Sequence, residues 1–147
     1  MEMTGRCLCG KISYRVDAEP LYAGHCFCTD CRRASGSGHM TAFGAPKAKL
    51  HIDGELATYR SVGGSGKMVT RAFCPTCGAL IFAQSEARPP DIVNVAAGTL
   101  DDTSRISPAF AVFCRSRAPW DCVPAGVIEY DALPSSPQTA AGGSGNA

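Results

Sequence analysis

Nine cysteines in a chain of 147 residues constrain this protein more than any other feature of its sequence. Seven of them form three close groups with the patterns C-x-C, C-x-C-x-x-C and C-x-x-C: Cys7 and Cys9; Cys26, Cys28 and Cys31; Cys74 and Cys77. Clustered thiols in a reducing compartment are typical of metal ligands, and an odd total leaves at least one thiol unpaired in any scheme of disulfides alone. We therefore expect metal sites rather than disulfides.

The remaining composition predicts a soluble cytoplasmic protein. The formal net charge is +1 and charged residues make up 18% of the chain, so no global charge favours nucleic acid or an anionic membrane. No apolar run approaches the roughly 20 residues of a membrane span, and "MEMTGRCLCGKI" lacks the basic and then apolar pattern of a secretory signal. Lys and Arg are scattered, and aromatic residues are only 7% of the chain. We expect neither nucleic-acid nor membrane partners, and the oligomeric state is open.

Short alternating segments predict an all-β domain with short helical turns. Frequent Gly and Pro divide the chain into runs such as "KISYRV", "HMTAFGA", "LATYRSV", "KMVTRAF", "ALIFAQ", "DIVNVAAGTL" and "FAVFCRS". One short helix is expected over "DCRRAS", with Thr29 as its cap and Gly36 closing it. We place the domain at residues 1–131 and a disordered tail at 132–147, because "PSSPQTAAGGSGNA" has no periodicity.

Two of the cysteine groups have the form of zinc knuckles. In "CPTCG" and "CLCG" a tight turn aims backbone N–H groups at sulfur, and Gly78 or Gly10 tolerates the conformation that follows. Two such turns brought together make a closed four-sulfur site typical of structural zinc, with Cys7, Cys9, Cys74 and Cys77 as ligands. The alternative is that Cys7 and Cys9 are small buried hydrophobic residues.

The third group supplies only three thiols, which matches the three protein ligands and one exchangeable position of catalytic zinc. A second closed structural site is the alternative. The donors that could close it are an external molecule or one of four residues: His25, His39, Cys114 and Cys122. Adjacent side chains on a strand point to opposite faces, so His25 is expected to be an oriented neighbour of Cys26 rather than a ligand.

The charge of a three-thiolate zinc site favours sulfur chemistry. Such a site carries a net charge of −1 and polarises water weakly, whereas coordination deprotonates an incoming thiol and holds it as a nucleophile. Arg32 and Arg33 follow the cluster directly. They could offset its charge or pair with a substrate carboxylate, and solvated helix residues are the alternative.

Four segments in this order, "GRCLCGKISYRV", "GHCFCTDCRRASGSG", "FCPTCGALIF" and "GTLDD", resemble the glutathione-dependent formaldehyde-activating enzyme family, which includes centromere protein V. The resemblance covers residues 4 to about 130. It implies a β-tent fold and two zinc ions per chain, a structural one on Cys7, Cys9, Cys74 and Cys77 and a catalytic one on Cys26, Cys28 and Cys31. The implied activity is that of a carbon–sulfur lyase, which condenses glutathione with formaldehyde to S-hydroxymethylglutathione.

The mechanism expected from this resemblance has glutathione, or another small thiol, as the fourth zinc ligand that attacks an aldehyde. The proton for the new hydroxyl would come from His25, His39 or water. A zinc-scaffolded binding module without catalysis is the alternative, and redox iron in a four-sulfur site ranks third. Outside the pattern, Cys114 and Cys122 are expected to be buried or incidental thiols, and Trp120 in "RAPW" is expected to pack in the core.

Overall fold

The computed structural model describes residues 1–134, which form two β-sheets and one α-helix. The strands are β1 (Met3–Arg6), β2 (Ser13–Val16), β3 (Tyr22–Cys26), β4 (Met40–Pro46), β5 (Leu50–Asp53), β6 (Ala57–Val62), β7 (Met68–Phe73), β8 (Leu80–Ser85), β9 (Ile92–Ala96), β10 (Phe110–Val112) and β11 (Ile128–Glu129), and the helix is α1 (Thr29–Ser35). Single turns of 3-10 helix connect several of them. The all-β prediction with short helical turns is confirmed.

The strands divide into a small and a large sheet. The small sheet has the order β1-β2-β5, and the large one has the order β11-β10-β3-β4-β9-β8-β7-β6. Strand β10 runs parallel to both β3 and β11, whereas the other pairs are antiparallel. Strand β3 therefore lies between an antiparallel and a parallel neighbour, and its end at Cys26 is fixed from both sides.

The main core lies between the two sheets. Successive side chains of a strand point to opposite faces, so alternate residues of β4 and β9 bury one face of the large sheet. Phe43, Val93 and Val95 are fully buried there, and Tyr14 and Val16 of the small sheet pack in the same cluster. Burying each such side chain contributes about 1.5–3 kcal/mol relative to leaving it exposed.

The opposite face of the large sheet forms the wall of a cavity. Residues Tyr22, Gly24 and Cys26, which alternate with the core residues of β3, all line that cavity. The ring of Phe110 lies over Gly24 and leaves no space there for a side chain. A second aromatic ring, that of Tyr22, lies over Gly44 in the same way. The two glycines thus make room for the rings that shape the cavity.

The N-cap of the helix lies one residue earlier than the one expected from the sequence, so α1 begins at Thr29. Cys28, not Thr29, is the N-cap, because its extended backbone places the sulfur where it accepts the N–H of Cys31 at 3.3 Å. Gly36 ends the helix in the left-handed conformation (φ 68°), as predicted. The cap places the thiol of Cys28 beside that of Cys31.

The segment that follows β10 corrects one expectation. Trp120 is 75% exposed and does not belong to the core, whereas Ala118, two residues earlier, occupies the buried position of this segment. Farther along, Ala132 and Leu133 pack against a second apolar cluster that contains Val112 and Phe113. The remainder of the predicted tail, residues 135–147, lies outside the described residues. None of the helices described is long and apolar enough to cross a membrane.

The close approach of Phe110 to Gly24 gives a test of the fold. A Cβ atom at position 24 would lie 2.5–2.8 Å from three carbon atoms of the Phe110 ring. We expect Gly24→Ala to lower the free energy of unfolding by about 1–3 kcal/mol, because the ring must shift in a packed site. The matched control is Gly98→Ala, where a Cβ meets nothing within 4 Å. Urea unfolding of both variants makes the comparison, and equal stabilities would contradict the packing described.

Candidate metal centres

Four cysteine sulfurs from distant parts of the chain converge at one end of the core. The Sγ atoms of Cys7, Cys9, Cys74 and Cys77 lie within 4.8 Å of one another. Cys9 Sγ lies 3.6 Å from Cys7 Sγ and 3.7 Å from Cys74 Sγ. A tetrahedral zinc site with Zn–S bonds of about 2.3 Å separates its sulfurs by about 3.8 Å, so the arrangement fits such an ion.

The two turns that carry these cysteines have the same backbone hydrogen bonds. In the first, the Cys7 N–H donates to the Ile12 carbonyl and the Gly10 N–H donates to the Cys7 carbonyl; the second repeats both bonds at Cys74, Gly78 and Ala79. Gly10 and Gly78 have φ values of 80° and 77°, which favour glycine. These are the knuckles expected from the sequence.

Backbone N–H groups of the knuckles also favour the thiolate form of Cys7 and Cys77. The Ile12 N–H donates to Cys7 Sγ at 3.2 Å. Backbone N–H groups of Ala79 and Cys9 donate to the sulfur of Cys77 and lower the pKa of its thiol to about 6. Cys7 and Cys74 are buried, so this cluster is inaccessible on its core side and could hold a structural ion.

The second cluster consists of Cys26, Cys28 and Cys31, whose sulfurs also lie within 4.8 Å of one another. Cys26 ends β3, Cys28 caps α1, and Cys31 lies in the first turn of that helix. Hydrogen bonds from the thiols of Cys26 and Cys31, supported by backbone N–H groups at the start of the helix, hold the pKa of Cys28 well below its ordinary value. The contacts with Cys28 and Cys31 raise the pKa of Cys26.

No fourth donor completes this cluster within residues 1–134. Neither His, Cys, Asp nor Glu places a ligand atom within 4.8 Å of all three sulfurs in that range. Residues 135–147 contain none of these four residue types. Cys114 is half-buried and Cys122 is exposed, and both lie outside the two clusters.

The two histidines proposed as donors or proton sources lie on the other side of β3. His25 alternates with Gly24 and Cys26, so it points away from the cavity, and its Nδ1 lies 2.9 Å from Thr41 Oγ1. His39 packs edge-on against it, with ring centroids 5.0 Å apart, and bonds Asp121 Oδ2 at 2.7 Å. Burial and the neighbouring His39 lower the pKa of His25. Among the described residues, neither histidine lines the cavity.

The three-cysteine cluster opens into a cavity of about 160 Å³. Apolar side chains form most of its walls, among them Met40, Val69, Leu80, Phe110, Val112 and Phe113. Phe113 adopts a left-handed backbone (φ 55°), a conformation that costs a residue other than glycine about 1–3 kcal/mol. Its ring lies beside the glycine-rich loop that follows β6. A Cβ atom built on Gly64 of this loop would lie 3.2 Å from the Phe113 ring. Cys28, Phe113 and this loop separate the cavity from an outer groove of about 210 Å³.

The cationic residues of the cavity differ from those expected. Arg71 of β7 and Arg88, which follows β8, line it, whereas Arg32 and Arg33 do not. The helix places Arg32 and Arg33 in its last turn, away from the cavity. Sequence reasoning missed Arg71, although it shares a strand face with Val69 in "KMVTRAF". The face that a strand turns toward a cavity is known only once the sheet order is known.

The fold and these two clusters define a class: a small β-protein with one closed four-sulfur metal-type site and one three-sulfur site open to a cavity. The sequence profile of the glutathione-dependent formaldehyde-activating enzyme (GFA) family matches residues 2–116. The chain therefore belongs to the GFA family, and its fold is the β-tent that the resemblance implies.

One solved structure supports the same architecture. A Rhodobacter sphaeroides protein from the Northeast Structural Genomics programme superposes with a TM-score of 0.55 and 28% sequence identity. The alignment covers 67% of this chain and 88% of that one. No curated protein matches the chain at a significant level.

Metal analysis can count the sites. We expect two zinc ions per chain after purification and dialysis under reducing conditions, measured by inductively coupled plasma mass spectrometry. Cys26→Ser removes one donor from the three-sulfur cluster and should lower the count to one, whereas Cys122→Ser changes an exposed thiol outside both clusters and should leave it at two. If the wild type holds only one zinc ion per chain and Cys26→Ser holds the same number, the two-site interpretation is contradicted.

Proposed function

We propose that this protein is a zinc-dependent carbon–sulfur lyase that joins a small thiol to an aldehyde, and that glutathione with formaldehyde, giving S-hydroxymethylglutathione, is its representative reaction. The observation that carries the proposal is a three-cysteine cluster without a fourth protein donor among the described residues, placed in the wall of a cavity. Membership of the GFA family supports the same chemistry.

We assign a structural zinc ion to Cys7, Cys9, Cys74 and Cys77 and a catalytic one to Cys26, Cys28 and Cys31. The donor sets fit, because soft thiolates select zinc and because the sulfurs of each cluster are close enough to share one ion. When bound at the second site, zinc supplies a position at which an incoming thiol of ordinary pKa near 8.5 ionises.

The cavity provides the surroundings in which a thiolate reacts. Apolar walls exclude water, which strengthens the attraction between the cluster and nearby cations. Arg71 is close enough to Cys31 for its charge to favour the thiolate form of that residue. The same charge offsets part of the negative charge of the three cysteine thiolates and the substrate thiolate. Holding the thiol and the aldehyde together in this space converts a bimolecular addition into an effectively unimolecular step.

The addition balances without a covalent bond to the protein. The thiolate sulfur attacks the aldehyde carbon, the carbonyl electron pair moves to oxygen, and that oxygen takes one proton to become the hydroxyl. Because both histidines lie on the far side of β3, we assign this proton to water rather than to His25 or His39. The reverse reaction, cleavage of the carbon–sulfur bond, uses the same groups.

The reaction is tested by its rate above the spontaneous one. Thiols add to formaldehyde unaided, so the measurement is formation of S-hydroxymethylglutathione with and without protein, followed by nuclear magnetic resonance exchange. We expect the wild type to exceed the spontaneous rate and Cys28→Ser to reduce that excess at least 100-fold, because it removes one of the three sulfur donors of the cluster.

The matched control is Cys122→Ser, which should keep the full excess rate. Circular dichroism checks that Cys28→Ser is folded, and Cys31→Ser provides a second variant if it is not. A wild-type rate equal to the spontaneous one, or an excess that survives in a folded Cys28→Ser variant, would contradict the proposed function. In that case the zinc-scaffolded binding module without catalysis becomes the better description.

A further inference from the structure

Arg88 lies beside an aromatic ring in the wall of the cavity. Its guanidinium carbon lies 5.4 Å from the centroid of the Tyr22 ring. The Tyr22 hydroxyl donates to Asn94 Oδ1 at 2.8 Å, which fixes the ring. A guanidinium over an aromatic face is attracted by the electrons of the ring, and its planar set of N–H donors matches a carboxylate. All three residues line the cavity.

The charge of Arg88 has no partner in the described part of the chain. The ion pairs of residues 1–134 that involve arginine use Arg15, Arg60 and Arg117. Residues 135–147 contain neither Asp nor Glu. A half-buried cation on an apolar wall, without a counter-ion, favours an anionic ligand because the ligand supplies the charge that the protein does not.

We propose that Arg88, which lies beside Tyr22, binds a carboxylate of the thiol substrate, and that Arg88 makes the site favour anionic thiols over neutral ones. This inference rests on the proposed function, because it assigns the thiol to the cysteine end of the cavity. Arg71 lies nearer the cluster and offsets its charge, so the two cations have different roles.

The test uses S-methylglutathione as the probe, because it keeps both carboxylates but has no ionisable thiol. Its binding to the metal-loaded protein is measured by isothermal titration calorimetry. We expect Arg88→Gln to weaken binding at least tenfold, since a lost charge-assisted hydrogen bond of about 1.5–3 kcal/mol corresponds to tenfold or more. The matched control, Arg33→Gln, changes an exposed arginine outside the cavity and should stay within twofold of the wild type.

A further probe separates the carboxylates from general binding. The diethyl ester of S-methylglutathione has no carboxylate and should bind wild type and Arg88→Gln equally weakly. Arg88→Lys keeps the charge but not the planar fork, and we expect it to recover only part of the lost affinity.

The outcomes distinguish this inference from the proposed function. Normal S-methylglutathione binding by Arg88→Gln, or wild-type binding of the ester as tight as that of the acid, would overturn the role of Arg88 even if formaldehyde condensation proceeds. No measurable binding to the wild type would overturn it as well. Binding that depends on Arg88 in a protein with no excess condensation rate would support the anion site and contradict the proposed reaction.

Discussion

The rest of the structure depends on the convergence of two cysteine knuckles that lie 65 residues apart, as the pair Cys9 and Cys74 shows. One knuckle connects β1 and β2 of the small sheet, and the other connects β7 and β8 of the large sheet. Structural zinc in small peptides binds with an apparent free energy of about 10–16 kcal/mol, which is comparable to the whole stability of a domain. An ion at this site would therefore decide whether the two sheets stay packed.

That packing leaves the large sheet with two different faces. One face buries Phe43, Val93 and Val95 in the core, while the other lines a cavity that contains the three-cysteine cluster. Strand β3 takes part in both, since Ala23 is buried and its neighbours Tyr22 and Gly24 face the cavity. The same strand also keeps His25 away from Cys26. The alternation of a strand thus separates the three-cysteine cluster from the His39–Asp121 pair on the other side.

Local patterns in the sequence were enough for the helix, the three cysteine groups and seven of the eleven strands in residues 1–134, because each depends on spacing within a few residues. The predicted runs did not include β1, β3, β5 and β11. "KISYRV" contains β2, "DCRRAS" lies within α1, and the glycines after Cys9 and Cys77 mark the knuckles. Non-local features were not accessible in this way. Trp120 is exposed because Ala118 occupies the buried position, and Arg71 and Arg88 reach the cavity through the order of β7, β8 and β9 in the sheet. Sheet order depends on contacts between distant segments, and local sequence patterns do not reveal which segments pair.

The central claim is that the three-cysteine site accepts a substrate thiol as its fourth ligand, and cobalt substitution tests it most directly. The account predicts that glutathione, added to cobalt-loaded protein, changes the thiolate-to-metal absorption, and that S-methylglutathione does not, because it has no thiol to ionise. Cys26→Ser should abolish the change, since it removes one of the three sulfurs. A cobalt spectrum that does not change when glutathione is added would contradict the account.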